Sequence, residues 1–315
     1  MLPINKIMHN RKVFASLAMT VGLLISASCD DIDEVDRITV GEVQKTAVTG
    51  EQVTVEFGDQ TFTYTNQHRL LIEDFTGWRC VNCPNMAAFL HQNIESVYPS
   101  VVVSLHPAAN SLSNTDAVVS RFSLSCTLAD EIANMVAGST VASSMSLPAV
   151  SINQKSYNGQ TLLSGDTTTV YNSLRELAMS EYQYYNLFND GRLTNIAVNV
   201  EKISDKQYNL STLVVRKEND KIANVRLQLW LLESGIVAYQ STQTGVNREY
   251  VNNHVLRQAI NGNQGEVIKG MYGDFTKSYT LSLEGTNYVP ENCSVVAFVS
   301  DPSTNEVLNC IEVKL

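Results

Sequence analysis

Apolar and polar positions fall into two textures along the chain. Between residues 50 and 185 short apolar runs alternate with stretches of helical spacing. Leu70-Leu71-Ile72-Glu73-Asp74-Phe75-Thr76 is short, mostly apolar and closed by Gly77, which predicts a buried strand entering a turn. From Pro84 onward Met86, Phe89, Leu90, Ile94 and Val97 recur at helical spacing until Tyr98-Pro99, with Pro84 in a first turn that needs no N–H. A second buried strand is expected over residues 101–105, a helix over about 128–136, and a strand opened by Pro148 over 147–152. Tyr157-Asn158-Gly159-Gln160 turns that strand toward a short partner at 161–163. Asp166 is expected to cap a last helix with Val170, Leu174, Leu177 and Ala178 on one face.

From Gly191 the period shifts to two. Ile196, Val198 and Val200 share a face, as do Leu210, Thr212 and Val214, then Val225, Leu227, Leu229 and Leu231, then Tyr279, Leu281 and Leu283. A closing hairpin, residues 294–300 and 306–313, turns at Asp301-Pro302-Ser303-Thr304-Asn305. Short alternating strands with Gly, Asn and Asp turns predict an antiparallel, immunoglobulin-like β-sandwich. Modules of this kind bind, brace or space more often than they catalyse.

The first residues follow neither texture. Positions 1–12 are basic, positions 13–25 are mostly apolar, and Ser26-Ala27-Ser28 precedes Cys29. This is the layout of a secretory signal, and its apolar run is too short for the roughly 20 residues that cross a bilayer. A cysteine directly after small residues resembles the lipobox of bacterial lipoproteins, which implies lipidation of Cys29. The run Asp30, Asp31, Asp33, Glu34 and Asp36 reads as a solvated tether. It also resembles the acidic export signal that follows the lipidated cysteine in Bacteroidetes lipoproteins, which implies display on the cell surface, with a periplasm-facing anchor as the alternative.

Composition narrows the partners. The 315 residues include 44% hydrophobic ones, enough for two cores, so wholesale disorder is excluded. Acids outnumber bases 32 to 22, for a net charge of -10, which argues against nucleic acid as a partner. No phosphate-binding glycine loop and no Gly-x-Ser-x-Gly elbow occurs. His68, His91 and His106 are scattered and no second CxxC exists, so no metal site and no cofactor are expected.

Six cysteines include Cys29, leaving Cys80, Cys83, Cys126, Cys293 and Cys310, an odd set in a compartment that permits disulfides. If residue 300 pairs with 306 in the closing hairpin, 310 lies opposite 296, three positions from 293 and on the other face. Cys293 and Cys310 are therefore expected to be buried thiols, and Cys126 a core or spare thiol.

The pair at 80 and 83 is different. Cys80-Val81-Asn82-Cys83 falls between a buried strand and a helix, where unpaired N–H groups and the helix dipole favour a thiolate at Cys80, with Cys83 placed to resolve a mixed disulfide. A structural disulfide is the alternative. Strand, CxxC, helix, strand, helix, proline, hairpin, helix is the order of a thioredoxin-like domain. Trp78, the CxxC and Pro148 carry that resemblance, which implies a cis-proline at 148 facing the cysteines. Arg79 between Trp78 and Cys80, and a proline after rather than between the cysteines, depart from the thioredoxin motif.

Asn252-Asn253-His254-Val255-Leu256-Arg257 interrupts the apolar pattern of the second half, and reads either as a strand edge with a structural arginine or as a binding segment through His254 and Arg257. With the acidic start, the Glu73-Asp74-Phe75-Thr76-Gly77 run and the closing strand at 295–299, it resembles the twenty-eight-kilodalton outer-membrane lipoprotein family of Bacteroidetes. The resemblance implies a signal peptide at 1–28, a tether at 29–48, a thioredoxin-like domain at 49–188 and a β-sandwich at 189–315. Two functions stay open. One is a thiol-disulfide oxidoreductase acting on protein thiols or disulfides, with Cys80, Cys83, Pro148 and Trp78 as its site. The other is a non-enzymatic adhesin or receptor for a surface protein partner, held to outer-membrane lipid through Cys29.

Overall fold

The computed structural model describes residues 50–114, 123–188, 194–217, 222–270 and 272–315. Cys29 and the acidic run lie outside the described residues. Strand outweighs helix, and the strands fall into several sheets.

The chain opens with a hairpin, β1 (Glu51–Phe57) and β2 (Gln60–Asn66). Then follow β3 (Leu70–Phe75), α1 (Cys83–Leu90) with a π-helical continuation His91–Glu95, β4 (Ser100–Leu105), α2 (Thr127–Ala137), β5 (Ala149–Ile152), β6 (Leu163–Ser164) and α3 (Thr168–Gln183). The later strands are β7 (Asn195–Ser204), β8 (Gln207–Arg216), β9 (Asn224–Glu233), β10 (Ile236–Thr242), β11 (Gly245–Asn252), β12 (Val255–Ala259), β13 (Glu266–Lys269), β14 (Gly273–Ser282), β15 (Cys293–Ser300) and β16 (Val307–Lys314).

The main sheet runs β16-β15-β9-β12-β4-β3-β5-β6, with β13 also on β9. It crosses the expected boundary between the two halves, because β12 pairs with β9 on one side and, at Val255 and Ser104, with β4 on the other. Every residue of β3 is buried, since the sheet is covered on both faces there, and this is why β3 reads as an apolar run. Leu70 and Ile72 pack with Met86 and Leu90 of α1 and Leu174 of α3. Leu71 and Phe75 face the other way, onto a core with Ile132 of α2, Trp230 of β9, Leu256 of β12 and Phe298 of β15.

The second sheet, β14-β8-β7, faces β9 and β15 across a core of Leu210, Val214, Leu227, Leu229, Val295 and Ala297. Period-two alternation has its direct cause here, with odd-numbered residues of β9 and β15 facing this core and Trp230, Val296 and Phe298 facing α2. Two ribbons change sides. The β1–β2 hairpin packs Phe62 and Tyr64 onto Ala197 of β7 and Leu213 of β8. The β10–β11 hairpin packs Ile236 and Ala238 against Leu124 and Val255.

Several expectations are corrected. The cap of α3 is Thr167, whose Oγ1 accepts from Val170 N at 3.3 Å; Asp166 instead accepts from Asn85 Nδ2 and from the Tyr171 hydroxyl. A bulge shifts the closing hairpin, so Cys310 lies opposite Phe298 rather than 296. The offset from Cys293 remains odd, so the two side chains still point to opposite cores, Cys293 to the inter-sheet core and Cys310 to the α2 side. Finally, β12 is an interior strand and not a sheet edge.

Candidate functional site

Cys80 and Cys83 form a disulfide with a Cα–Cα distance of 5.4 Å. Helix α1 begins at Cys83, one residue earlier than the pattern suggests, with Asn82 as its N-cap and Pro84 in the first turn. Cys80 thus precedes the cap by two residues, and Cys83 is the first helical residue.

The loop carrying the pair is tightly held. Gly77 is required by close approach, since a Cβ there would lie 2.5 Å from the Leu112 carbonyl oxygen. Arg79 N donates to Leu112 O at 2.9 Å and Trp78 Nε1 to Asn114 O at 3.0 Å, while the Arg79 guanidinium stacks 4.6 Å above the Trp78 ring. The β10–β11 hairpin covers the same loop from the other half of the chain. Gln240 is buried and its Nε2 donates to the carbonyls of Gly77 (3.2 Å) and Cys80 (3.0 Å), and Ser241 N donates to Trp78 O at 2.7 Å. Both cysteines are buried under this cover, with 4% and 2% of their surface accessible.

The Leu147–Pro148 peptide bond is cis. Pro148 lies at the sheet end near the loop, because Ala149 pairs with Phe75. Its carbonyl accepts from Gly165 N at 2.9 Å.

Beside the loop, α1 and the β10–β11 hairpin enclose a cleft of about 170 Å³. Asp74, Ser104 and His106 line its floor, Pro84, Ala87 and Glu95 one wall, and Gln240, Tyr250 and His254 the other. Asp74 is buried, its Oδ1 has no hydrogen-bond partner, and burial pushes its carboxyl up to about 7. His106 is buried too, with Nδ1 unpartnered, and burial, aided by the Arg257 charge, lowers it to about 3, so it is a neutral imidazole. Asp74 does not stand out as a site residue in the sequence, although an acid inside an otherwise apolar strand is a signal for it; His106 reads there as a strand-end histidine whose place after the 101–105 strand could bring it near the cysteines.

His254 and Arg257 separate by role. His254, in a left-handed conformation at φ 56°, donates its backbone N–H to Ser234 Oγ at 2.9 Å, accepts from Ser104 N at 2.8 Å and so aligns β12 with β4. Its Nδ1 lies 3.8 Å from Glu312 Oε1, and this carboxylate raises the imidazole above its ordinary value against the pull of burial. Arg257 points away into a buried ion pair with Glu233 at 3.2 Å, with Nη1 on Ser123 O and the Tyr288 ring at 4.5 Å. It braces β12 against β9, and only His254 reaches the cleft.

Cys126, Cys293 and Cys310 are free thiols, and burial raises all three, Cys293 to about 12. Among the described residues no group of three or more His, Cys, Asp or Glu is placed to hold a metal ion, and no helix is long and apolar enough to cross a membrane.

Three comparisons place the chain among known proteins. HBP35 of Porphyromonas gingivalis is similar in structure, with a TM-score of 0.58 at 14% identity over 79% of this chain and 76% of that one, a likeness of fold alone. A domain of the outer membrane lipoprotein Omp28 from the same organism aligns at 28% identity over 39% of this chain and 87% of that one, with a TM-score of 0.28. No curated protein matches the chain. Residues 145–315, more than half of the sequence and including the β12 segment, match the outer membrane protein Omp28 family. The chain therefore belongs to that family, and its place is the outer membrane.

Proposed function

We propose that this protein is a lipid-anchored binding protein of the outer membrane, displayed on the cell surface, in which Cys80–Cys83 is a structural staple. The observation that carries the reading is the cover over the disulfide. An exchange catalyst needs an attacking thiolate to reach a sulfur along its bond axis, and here both cysteines lie beneath Gln240 and Ser241. The anchor is Cys29, with outer-membrane lipid as its partner. The β3–α1–β4 and β5–β6–α3 arrangement supports a thioredoxin-like half, and the two facing sheets support an immunoglobulin-like one, although the main sheet runs across both. The surface partner meets the exposed face of the second half, where Val237, Val246 and Val251 of the hairpin stand in solvent.

One observation favours thiol-disulfide exchange as the second reading. Asp74, whose proton is exchangeable near neutral pH, borders the cleft together with Pro84 and Gln240, which flank the disulfide loop. That chemistry requires the hairpin to move aside. Two measurements test the proposal. Cys29→Ala is expected to abolish incorporation of labelled fatty acid and to release the protein from the membrane; retained labelling contradicts the anchor. Removal of the whole folded protein by external protease on intact cells supports surface display, and protection contradicts it.

A further inference from the structure

The cleft beside the disulfide loop has a chemistry of its own. Its floor presents two polar atoms without a hydrogen-bond partner, Asp74 Oδ1 and His106 Nδ1, on residues only 3% and 2% accessible. An ionised carboxylate accepts only, and a neutral imidazole keeps one accepting nitrogen. Glu95 adds a second carboxylate at the mouth, 3.2 Å from His91 Nδ1. His254 on the wall is held toward its cationic form by Glu312, which lies outside the cleft and answers its charge. The volume, about 170 Å³, is close to the roughly 150 Å³ cavity that holds a benzene-sized molecule.

We propose that this cleft binds a small organic cation bearing N–H donors, a guanidinium or primary ammonium group, with Asp74 and His106 as acceptors at the floor and Glu95 at the mouth. A donor-rich cation satisfies both orphan acceptors at once and brings the counter-charge that a buried carboxylate lacks. The proposal deepens the binding reading above by naming a ligand class. It fails separately from that reading, because a reducible disulfide leaves the cleft result unchanged and an empty cleft leaves the disulfide result unchanged.

The test is calorimetric titration of the full chain with methylguanidinium chloride, above the Asp74 value of about 7. Tetramethylammonium at equal ionic strength serves as the donor-free control, and a short arginine-containing peptide as a second arm. Saturable binding of methylguanidinium but not of tetramethylammonium is expected. It should weaken at least about tenfold in Asp74→Asn, the scale of one charge-assisted hydrogen bond. Ala87→Phe, which fills the cleft from α1 without touching the acceptors, should weaken it similarly, with circular dichroism confirming that both variants fold. Tighter binding of the peptide assigns the cation to a partner's side chain, and weaker binding assigns it to a free small molecule. Absence of saturable heat, equal response to tetramethylammonium, or binding unchanged in both variants overturns the proposal and leaves a cleft filled by water.

Discussion

At the scale of single residues, buried titratable groups set the response to pH. The folded state holds the Asp74 proton up to about 7, whereas an unfolded chain releases it near 3.8. Asp74 therefore costs stability progressively as pH rises between those values, and the cost is constant above. Glu73, pushed up to about 7 by burial against the opposing hydrogen bond from Gln154, acts in the same direction. His68 and His106, lowered by burial from 6.5 to about 3, act oppositely, with stability lost as pH falls through that window. Asp74→Asn should gain stability over the parent as pH rises from the acid end to about 7, by on the order of 2–4 kcal/mol at roughly 1.4 kcal/mol per unit. Urea unfolding of both proteins across that range checks the slope, and a pH-independent difference contradicts it. Gln240 is the second decisive residue. Gln240→Ala removes the side-chain donor to the Gly77 and Cys80 carbonyls and leaves each with a single backbone donor, Cys80 N and Cys83 N, a loss of about 1–3 kcal/mol that favours local opening. Reduction of the disulfide by dithiothreitol without denaturant should then quicken by about tenfold or more, read by thiol trapping, and an unchanged rate means that the hairpin is not the cover.

At the scale of elements, most strands and all three helices are legible in the spacing of apolar residues, because each lies against a core that enforces a period. The β1–β2 hairpin and β13 are not legible in that spacing, and neither are the elements that build the candidate site. The β10–β11 ribbon buries little more than Ile236, Ala238 and Gln240 and leaves three valines in solvent, so its pattern carries no clean alternation. β12 is five residues long, bends at a bulge between Leu256 and Gln258, and carries Arg257 inward to Glu233, so a polar sequence occupies an interior strand. Its pairing with β4 joins residues 255 and 104, a contact that no local pattern encodes. The CxxC, by contrast, depends on neighbours in sequence and is visible at once, but its burial depends on residue 240 and is not. The same distinction explains the α3 cap, where Asp166 and Thr167 are adjacent cap formers and tertiary bonds to Asn85 and Tyr171 draw the aspartate away.

At the scale of the molecule, the two halves share structure rather than merely touching. One sheet runs through both, α2 packs on strands from both, and Asn309 of β16 donates to the carbonyls of Gln67 and Thr194 while accepting from Arg69 N. Each half also lends a hairpin to the other. A single cooperative thermal transition is expected, with calorimetric and van't Hoff enthalpies equal, and a fragment of residues 189–315 should not fold alone. Two resolved transitions contradict this coupling. The same coupling covers the disulfide, since the β10–β11 hairpin over it comes from the second half, and the proposal of a staple rather than a catalyst rests on that cover. The most direct test is the reduction potential of Cys80–Cys83 in the folded protein, read by thiol trapping and mass across a glutathione and dithiothreitol series. A value below about -300 mV is expected for a covered structural bond; a value between about -270 and -120 mV, the range of exchange catalysts, would contradict the account and make the hairpin a gate instead of a seal.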